Sequence, residues 1–156
     1  KMLVKKSGKY SYKYDIIVFA CRDIQDVELP SYITKIESYA FSGCRYMRSI
    51  DISKSVNITK IEDFTFAFSS LEKIEIPQNI HVIGKRAFFG CPQLNEVKFA
   101  IDGQIDCIEE GAFAESGLKQ IALPVNVKEL KDGWCNSDTL VTNIAPDDNY
   151  NYFVKH

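Results

Sequence analysis

The sequence lacks the features that would place it in a membrane or on a nucleic acid. No apolar run reaches the roughly 18 residues that a membrane-spanning helix needs, so we expect this segment not to insert into a membrane. The formal net charge is −2, and a chain without a basic excess does not attract phosphate backbones strongly. Nucleic acid is therefore not expected to be the main partner.

Residues that commonly carry catalysis or hold metal ions are scarce. The two histidines are His81 and His156, and a cysteine nucleophile needs a base close by. The five cysteines include no C-x₂-C pair, which is the usual mark of a zinc site. We therefore predict no catalytic residue, no metal site and no cofactor, and we do not expect an enzyme.

What the sequence contains instead is one phrase that recurs five times. Its clearest copy, residues 76–94, reads IPQNIHVIGKRAFFGCPQL. The other copies span 29–47, 52–71, 99–118 and 123–140. Each ends on an apolar residue, and these closing positions are Ile24 (before the first copy), Met47, Leu71, Leu94, Leu118 and Leu140. Successive closing positions lie 22–24 residues apart, as expected for stacked repeats.

Within each copy the apolar residues keep a fixed order. An apolar pair such as Ile74 and Ile76 alternates with polar residues, which predicts a half-buried strand. A proline or small residue then ends the strand. Further on, an aliphatic column and an aromatic column are predicted to fill the interior. The aliphatic column is Ile36, Ile61, Ile83, Ile108 and Leu130, and the aromatic column is Phe41, Phe66, Phe88 and Phe113, with Cys135 in that register.

A unit of this length cannot bury its own apolar face, so neighbouring units must stack. Stacking places equivalent strands side by side as a parallel sheet. The Ala-Phe segments are too short for more than a helical turn, so the opposite side is predicted to consist of turns and short 3₁₀ pieces.

The phrase I-x-I-P…I-G-x-x-A-F-x-G-C-x-x-L resembles the BspA-like leucine-rich repeat family over about residues 23–146. The resemblance implies an α/β solenoid of about five repeats, with parallel strands on a concave face and short helical pieces on a convex face. It also implies a surface or adhesion role, although a fold does not determine a function.

The ends of the chain differ from the repeats. Residues 1–22 are predicted to form a capping hairpin or spacer and a partial coil, with strands at Met2-Leu3-Val4 and at Tyr10–Tyr14. The solenoid is predicted to span 23–146. Residues 147–156 form a polar, aromatic tail or the start of a spacer, and we expect the chain to be one section of a longer array.

The polar residues of the strands are the candidate ligand-binding set, because they point away from the core. They are Asp26, Glu28, Ser49, Asp51, Lys73, Glu75, Glu96, Lys98 and Gln120, followed by Ala122, Thr142 and Ile144 in the same pattern. This row is either an ordinary solvated sheet face or a contact surface for a protein or glycan, since solenoids bind through such faces.

The cysteines and one asparagine are further candidate sites. Cys21, Cys44 and Cys91 occupy one column, interrupted by Phe68, and a packing role under the turns is favoured over chemistry. Only Cys21 and Cys44 lie on adjacent coils, so they form the one possible disulfide. Asn57, in the sequence Asn-Ile-Thr, is a possible glycosylation acceptor.

Two functional hypotheses follow. The first is a non-enzymatic adhesion or protein-binding module at the cell surface or in a secreted protein. The alternative is a cytoplasmic repeat scaffold or regulatory subunit that binds a protein partner. An odd number of cysteines without a paired pattern fits a reducing compartment at least as well as an oxidising one.

Overall fold

The computed structural model of the chain describes residues 1–9, 11 and 13–144, and these residues form strands and turns. The strands are β1 (Met2–Lys5), β2 (Ile16–Ala20), β3 (Asp26–Glu28), β4 (Lys35–Ile36), β5 (Ser49–Asp51), β6 (Lys60–Ile61), β7 (Lys73–Ile76), β8 (Val82–Ile83), β9 (Glu96–Phe99), β10 (Cys107–Ile108), β11 (Gln120–Leu123), β12 (Glu129–Leu130) and β13 (Leu140–Asn143).

Five successive coils each contribute one long strand and one short strand to a solenoid, and a further coil contributes the long strand β13 within the described residues. The long strands β3, β5, β7 and β9 pair in parallel, β11 contacts β9, and β13 pairs with β11. The short strands β6, β8, β10 and β12 form a second parallel ladder, while β4 pairs with β2. Between the short strand of one coil and the long strand of the next lies a series of turns, which we call the turn side.

The prediction of five repeats is wrong, because the described residues contain six successive long strands and therefore about six coils. The sixth, β13, is held by backbone pairing to β11, although all four of its residues are exposed. Aligning the repeats by their apolar residues assigns the wrong residues of this last coil to the buried positions. Buried Thr139, whose hydroxyl donates to the Leu118 carbonyl (3.0 Å), takes the closing position predicted for Leu140.

This shift also corrects the last outward pair. Gln120 pairs with Leu140 and Ala122 with Thr142, so Thr142 and Ile144 are not the equivalents of Gln120 and Ala122.

The α/β class and the short helical pieces are also wrong, since the described residues include no helix. The turn side shows why. The amides of Tyr39, Phe41 and Gly43 donate to carbonyls of the next coil, at Asp63, Thr65 and Ala67. A helix directs every interior amide to its own turn, so alternate amides directed along the solenoid exclude one.

The predicted aromatic column is confirmed at its four phenylalanines, and the aliphatic column is confirmed except at Leu130. Leu130 is 42% exposed, because β12 is the last strand of its ladder in the described part of the chain and has a neighbour on one side only. Phe41, Phe66, Phe88 and Phe113 are fully buried and stack with ring centroids 5.4, 5.2 and 5.0 Å apart. This separation is close to the spacing of adjacent strands, about 4.8 Å, so the stack follows from the pairing of the coils. Beyond Phe113 the column continues to Cys135, which forms a parallel bridge with Phe113.

The N-terminal hairpin exists, but its second strand is not the predicted segment. β1 pairs antiparallel with β2, and β2 in turn pairs in parallel with β4. The more apolar β2 buries Ile17 and Ala20 against the core, which the Tyr10–Tyr14 segment could not do as well. Tyr10 and Tyr12 themselves, and the predicted tail at 147–156 with the end of the solenoid at 145–146, lie outside the described residues.

A chain of ion pairs ties this hairpin to the first coils. Lys5 contacts Glu37 at 2.7 Å, Glu37 contacts Lys35 at 3.3 Å, and Lys35 contacts Glu62 at 3.7 Å. Lys60 continues the series to Glu62 at 3.2 Å. A hydrogen bond from Lys5 holds the pKa of Glu37 below its usual range.

The Phe88 column predicts a large stability effect. Phe88→Ala should lower the free energy of unfolding by about 3–5 kcal/mol, because it leaves a cavity between two stacked rings. Denaturant unfolding measures this, and exposed Tyr46→Ala is the control. A loss below about 1 kcal/mol for Phe88→Ala would show that the stack does not stabilise the core.

The Glu37 carboxylate predicts a pH effect. The pKa of Glu37 is lower in the folded chain than in the unfolded one, so the ionised carboxylate stabilises the fold. This contribution to the free energy of unfolding is complete above the unfolded pKa of about 4.3, and it is lost as the pH falls through the lower pKa of the folded chain. Thermal unfolding of Glu37→Gln should therefore lose less melting temperature than the parent between about pH 6 and pH 3. Equal losses in both proteins would contradict the ion-pair account; Glu72→Gln serves as the control.

Candidate functional site

The predicted ligand-binding residues do lie together on the outer surface of the long strands, which we call the long-strand face. Alternation along each strand buries Val27, Ile50, Ile74, Val97 and Ile121. The polar residues between them point outward, and all are exposed except half-buried Ser49. The parallel register aligns them in rows, with Asp26, Ser49, Lys73 and Glu96 in one row.

A groove of about 340 Å³ crosses the middle of the long-strand face. Six of the nine predicted residues line it, namely Ser49, Asp51, Lys73, Glu75, Glu96 and Lys98. The structure therefore brings these six together. Asp26 and Glu28 stand on β3 at one end of the face, and Gln120 stands on β11 at the other.

Much of the charge on this face is neutralised locally. Arg48 contacts Asp26 at 2.8 Å, Lys54 binds Glu28, and Lys98 contacts Glu96 at 3.2 Å. Hydrogen bonds from Ser49 and then Arg48 hold the pKa of Asp26 low. The strand residues alone suggest that the face is acidic around Asp26 and Glu28. In the structure Arg48 and Lys54 neutralise these two carboxylates.

The sequence pattern missed Arg48 and Lys54. They lie just outside β5, one before it and one after it, so the alternation of strand residues does not select them. Their long side chains reach carboxylates on the preceding coil, and that reach depends on how the coils stack.

Two charged side chains in the groove have no such partner. Lys73 and Glu75 form no side-chain hydrogen bond or ion pair within the described part of the chain. Asp51, beside them, accepts a hydrogen bond from the Ser53 amide at 2.8 Å, which lowers its pKa. The centre of the groove therefore offers an ammonium group and a carboxylate that are both available to a ligand.

The cysteine column differs from the predicted one at its third member, after Cys21 and Cys44. Ser69, not Phe68, stands between Cys44 and Cys91, with Ser69 Oγ 3.5 Å from Cys91 Sγ. Ser69 lies two residues before the closing Leu71, whereas Cys44 and Cys91 lie three residues before Met47 and Leu94, so counting back three residues selects Phe68 by mistake. Phe68 instead adopts a positive φ of 58° and is 55% exposed.

Four of the five thiols are held in their protonated form by their surroundings. Burial raises the pKa of Cys44, Cys91 and Cys135, and it raises the pKa of Cys107 to about 11. His81 has its Nδ1 2.9 Å from the carbonyl oxygen of Gln104. His156 lies outside the described residues. Within those residues no three His, Cys, Asp or Glu side chains are grouped to hold a metal ion, and no helix could cross a membrane.

Two minor predictions remain predictions. All five cysteines are free thiols here, with Cys44 Sγ 3.9 Å from the Cys21 carbonyl oxygen rather than bonded to its sulfur. Asn57 lies exposed in a turn, where a glycan could be attached.

Comparisons with known proteins point to one family. The profile described as "BspA type Leucine rich repeat region (6 copies)" matches residues 16–141. A comparison with curated proteins finds no match.

Solved structures provide a second comparison. The chain is 32% identical to the pneumococcal vaccine antigen PcpA, with a TM-score of 0.67, over 76% of this chain and 29% of that one. It is 27% identical to a leucine-rich repeat protein from Bacteroides capillosus, with a TM-score of 0.51, over 56% and 64% respectively. The chain thus spans less than two thirds of each of these proteins.

A leucine-rich cell surface protein from Faecalibacterium prausnitzii shares 19% identity, with a TM-score of 0.58, over 94% of this chain and 46% of that one. At this identity the similarity concerns the fold alone.

Thiol counting checks the disulfide prediction. In the denatured, unreduced chain we expect five reactive thiols, because the sulfurs of Cys21 and Cys44 are both free in the fold. Mass spectrometry after alkylation measures the number. A count of three in the parent that becomes four in Cys21→Ser, because Cys44 is then released, would demonstrate the Cys21–Cys44 disulfide. A count of three that becomes two in that variant would place the disulfide between other cysteines.

Proposed function

The chain belongs to the BspA-type leucine-rich repeat family, and from this premise we propose that it is a non-enzymatic binding module of a surface protein. Its ligand, a protein or a glycan, binds the long-strand face, which we take to be the concave side. The observation that carries the proposal is the central groove, where exposed Lys73 and Glu75 have no partner within the described residues.

The groove supports binding for a physical reason. Ion pairs already present on a surface must be broken or desolvated before a ligand can use their charges. Lys73 and Glu75 must be desolvated as well, but no existing ion pair has to be broken, so they can pair with complementary charges on a ligand and determine its orientation. The paired residues at the ends of the face, such as Asp26 and Glu28, are then a polar rim.

The similar structures support a surface location. One is described as a vaccine antigen and another as a cell surface protein, and those descriptions apply to those proteins. We propose the cell surface or a secreted protein for this chain as well. The chain covers 29% of the pneumococcal antigen. The binding role that we propose therefore concerns this segment of repeats.

The intracellular alternative keeps one observation in its favour. Five free thiols suit a reducing compartment. Antibody labelling of intact and permeabilised source cells separates the two locations, since staining that needs permeabilisation would reject the surface location.

Exchange of the two central charges tests the long-strand face. The double variant Lys73→Glu and Glu75→Lys keeps the net charge, so it should reduce binding by about tenfold or more while the melting temperature stays unchanged. Binding of the labelled chain to intact cells and to protein and glycan arrays is the measurement. Arg45→Glu, on the turn side, is the control. If the parent binds and the exchanged variant binds equally well, the ligand does not use this groove.

A further inference from the structure

A cluster of large side chains stands on the turn side, away from the long-strand face. Tyr39 stacks on Phe64 with centroids 4.9 Å apart, and Phe68 meets Phe89 edge-on at 5.5 Å. The Arg86 guanidinium joins the two pairs, 6.0 Å from the Phe64 ring and 5.2 Å from the Phe89 ring. We call these five residues the aromatic ridge.

The ridge is separate from the core and is open to solvent. The core stack is formed by other phenylalanines, which are fully buried. In the ridge, Tyr39 and Phe68 are each 55% exposed. Large aromatic side chains grouped on a surface are unusual in a soluble domain and mark interaction sites.

The backbone under the ridge is strained. Nine described residues on the turn side have positive φ, and four of them are Gly43, Gly90, Gly111 and Gly133. Four of the other five are ridge residues, namely Tyr39, Phe64, Phe68 and Arg86. Bulky residues are disfavoured in this conformation, and strain that persists without a gain in burial points to function.

Glycine occupies the positions equivalent to Arg86 and Phe68 in other coils, so glycine is compatible with the backbone there. Arg86 precedes Gly111 and Gly133 in one column of positive φ, and Phe68 stands between Gly43 and Gly90 in another. Each large side chain lies on the glycine of the next coil. A Cβ on Gly90 would come 2.7 Å from the Phe68 ring, and one on Gly111 would come 2.9 Å from the Arg86 side chain.

Arg86 is the charged residue of the ridge, and its charge contributes, after that of Lys85, to the lowered pKa of Glu110. Within the described residues its guanidinium forms no hydrogen bond or ion pair, although it lies over two rings. The neighbouring Lys85 is paired with Glu110 at 2.9 Å. Arg86 therefore keeps its hydrogen-bond donors free beside an apolar surface, an arrangement that favours a carboxylate.

The orientation of the rings supports the same chemistry. Tyr39 and Phe64 cover each other's faces, and Phe68 lies against Gly90. One face of each of these rings is therefore already covered, which leaves less ring surface for a flat ligand. A sugar would need free ring faces for stacking, so the ridge fits a glycan less well.

We propose that the aromatic ridge docks a segment of another protein that presents a carboxylate between apolar side chains. The carboxylate binds Arg86, and the flanking side chains pack on Tyr39 and Phe68. Tyrosine, phenylalanine and arginine are enriched in protein interfaces, and such a small cluster can supply most of the binding energy. The proposal is independent of the ligand on the long-strand face.

The test uses two synthetic octapeptides that differ at one atom group. Both carry Leu-Xaa-Phe at the centre, with Xaa as Glu in one and Gln in the other. Titration into the 156-residue chain is followed by aromatic ¹H–¹³C NMR. We expect the Glu peptide to shift the Tyr39, Phe64 and Phe68 signals and to bind about tenfold more tightly than the Gln peptide.

Two variants copy the glycines of the neighbouring coils and should therefore fold. Arg86→Gly should remove the preference for Glu over Gln, and Phe68→Gly should weaken both peptides. Unchanged melting temperatures and backbone spectra confirm folding. The Lys73→Glu and Glu75→Lys double variant should bind both peptides as the parent does, which separates this site from the proposed function.

Several results would overturn the proposal. They are equal binding of the two peptides, no ridge shift at millimolar peptide, or a Glu preference that survives Arg86→Gly. Tighter binding of an oligogalacturonate than of the Glu peptide would assign the ridge to a glycan. A dimer in sedimentation that Arg86→Gly abolishes would assign it to a second copy of the chain.

Discussion

Backbone hydrogen bonding between successive coils is the constraint on which the rest of the structure depends. It places equivalent residues about 5 Å apart, and the Phe41, Phe66, Phe88 and Phe113 rings follow this spacing closely. Each column must therefore hold side chains that tolerate a like neighbour above and below. The same bonds direct alternate turn-side amides along the solenoid and leave no place for a helix there.

The constraint divides the molecule into inward columns and outward rows. Inward positions are bound by packing, so their residue types recur. Outward positions such as Lys73 and Glu75 are free to differ between coils, and they are where binding chemistry can vary without loss of the core. The long-strand face offers charge, whereas the aromatic ridge offers aromatic surface and one guanidinium, so the two surfaces suit different partners.

Sequence reasoning succeeded where periodicity was strong and failed where it was interrupted. The buried columns and the outward strand residues were predictable, because a repeat of 22–24 residues exposes them by comparison. The position of Ser69 in the cysteine column, where Phe68 was predicted, could not be found in this way. That coil is one residue shorter here, and the sequence does not show on which side of the column the residue is missing. Thr139 took the closing position from Leu140 because backbone pairing, and not hydrophobicity, decides the last coil.

The sequence by itself determined the stacked repeats, the interior of the first four coils and which of their strand residues face solvent, because burial leaves a periodic pattern in the residue types. Only the tertiary structure decided which charges remain available. Arg48 and Lys54 neutralise Asp26 and Glu28 from the adjacent coil, more than 20 residues away along the chain. Such pairing depends on side-chain reach across stacked coils, and it leaves no periodic trace in the sequence.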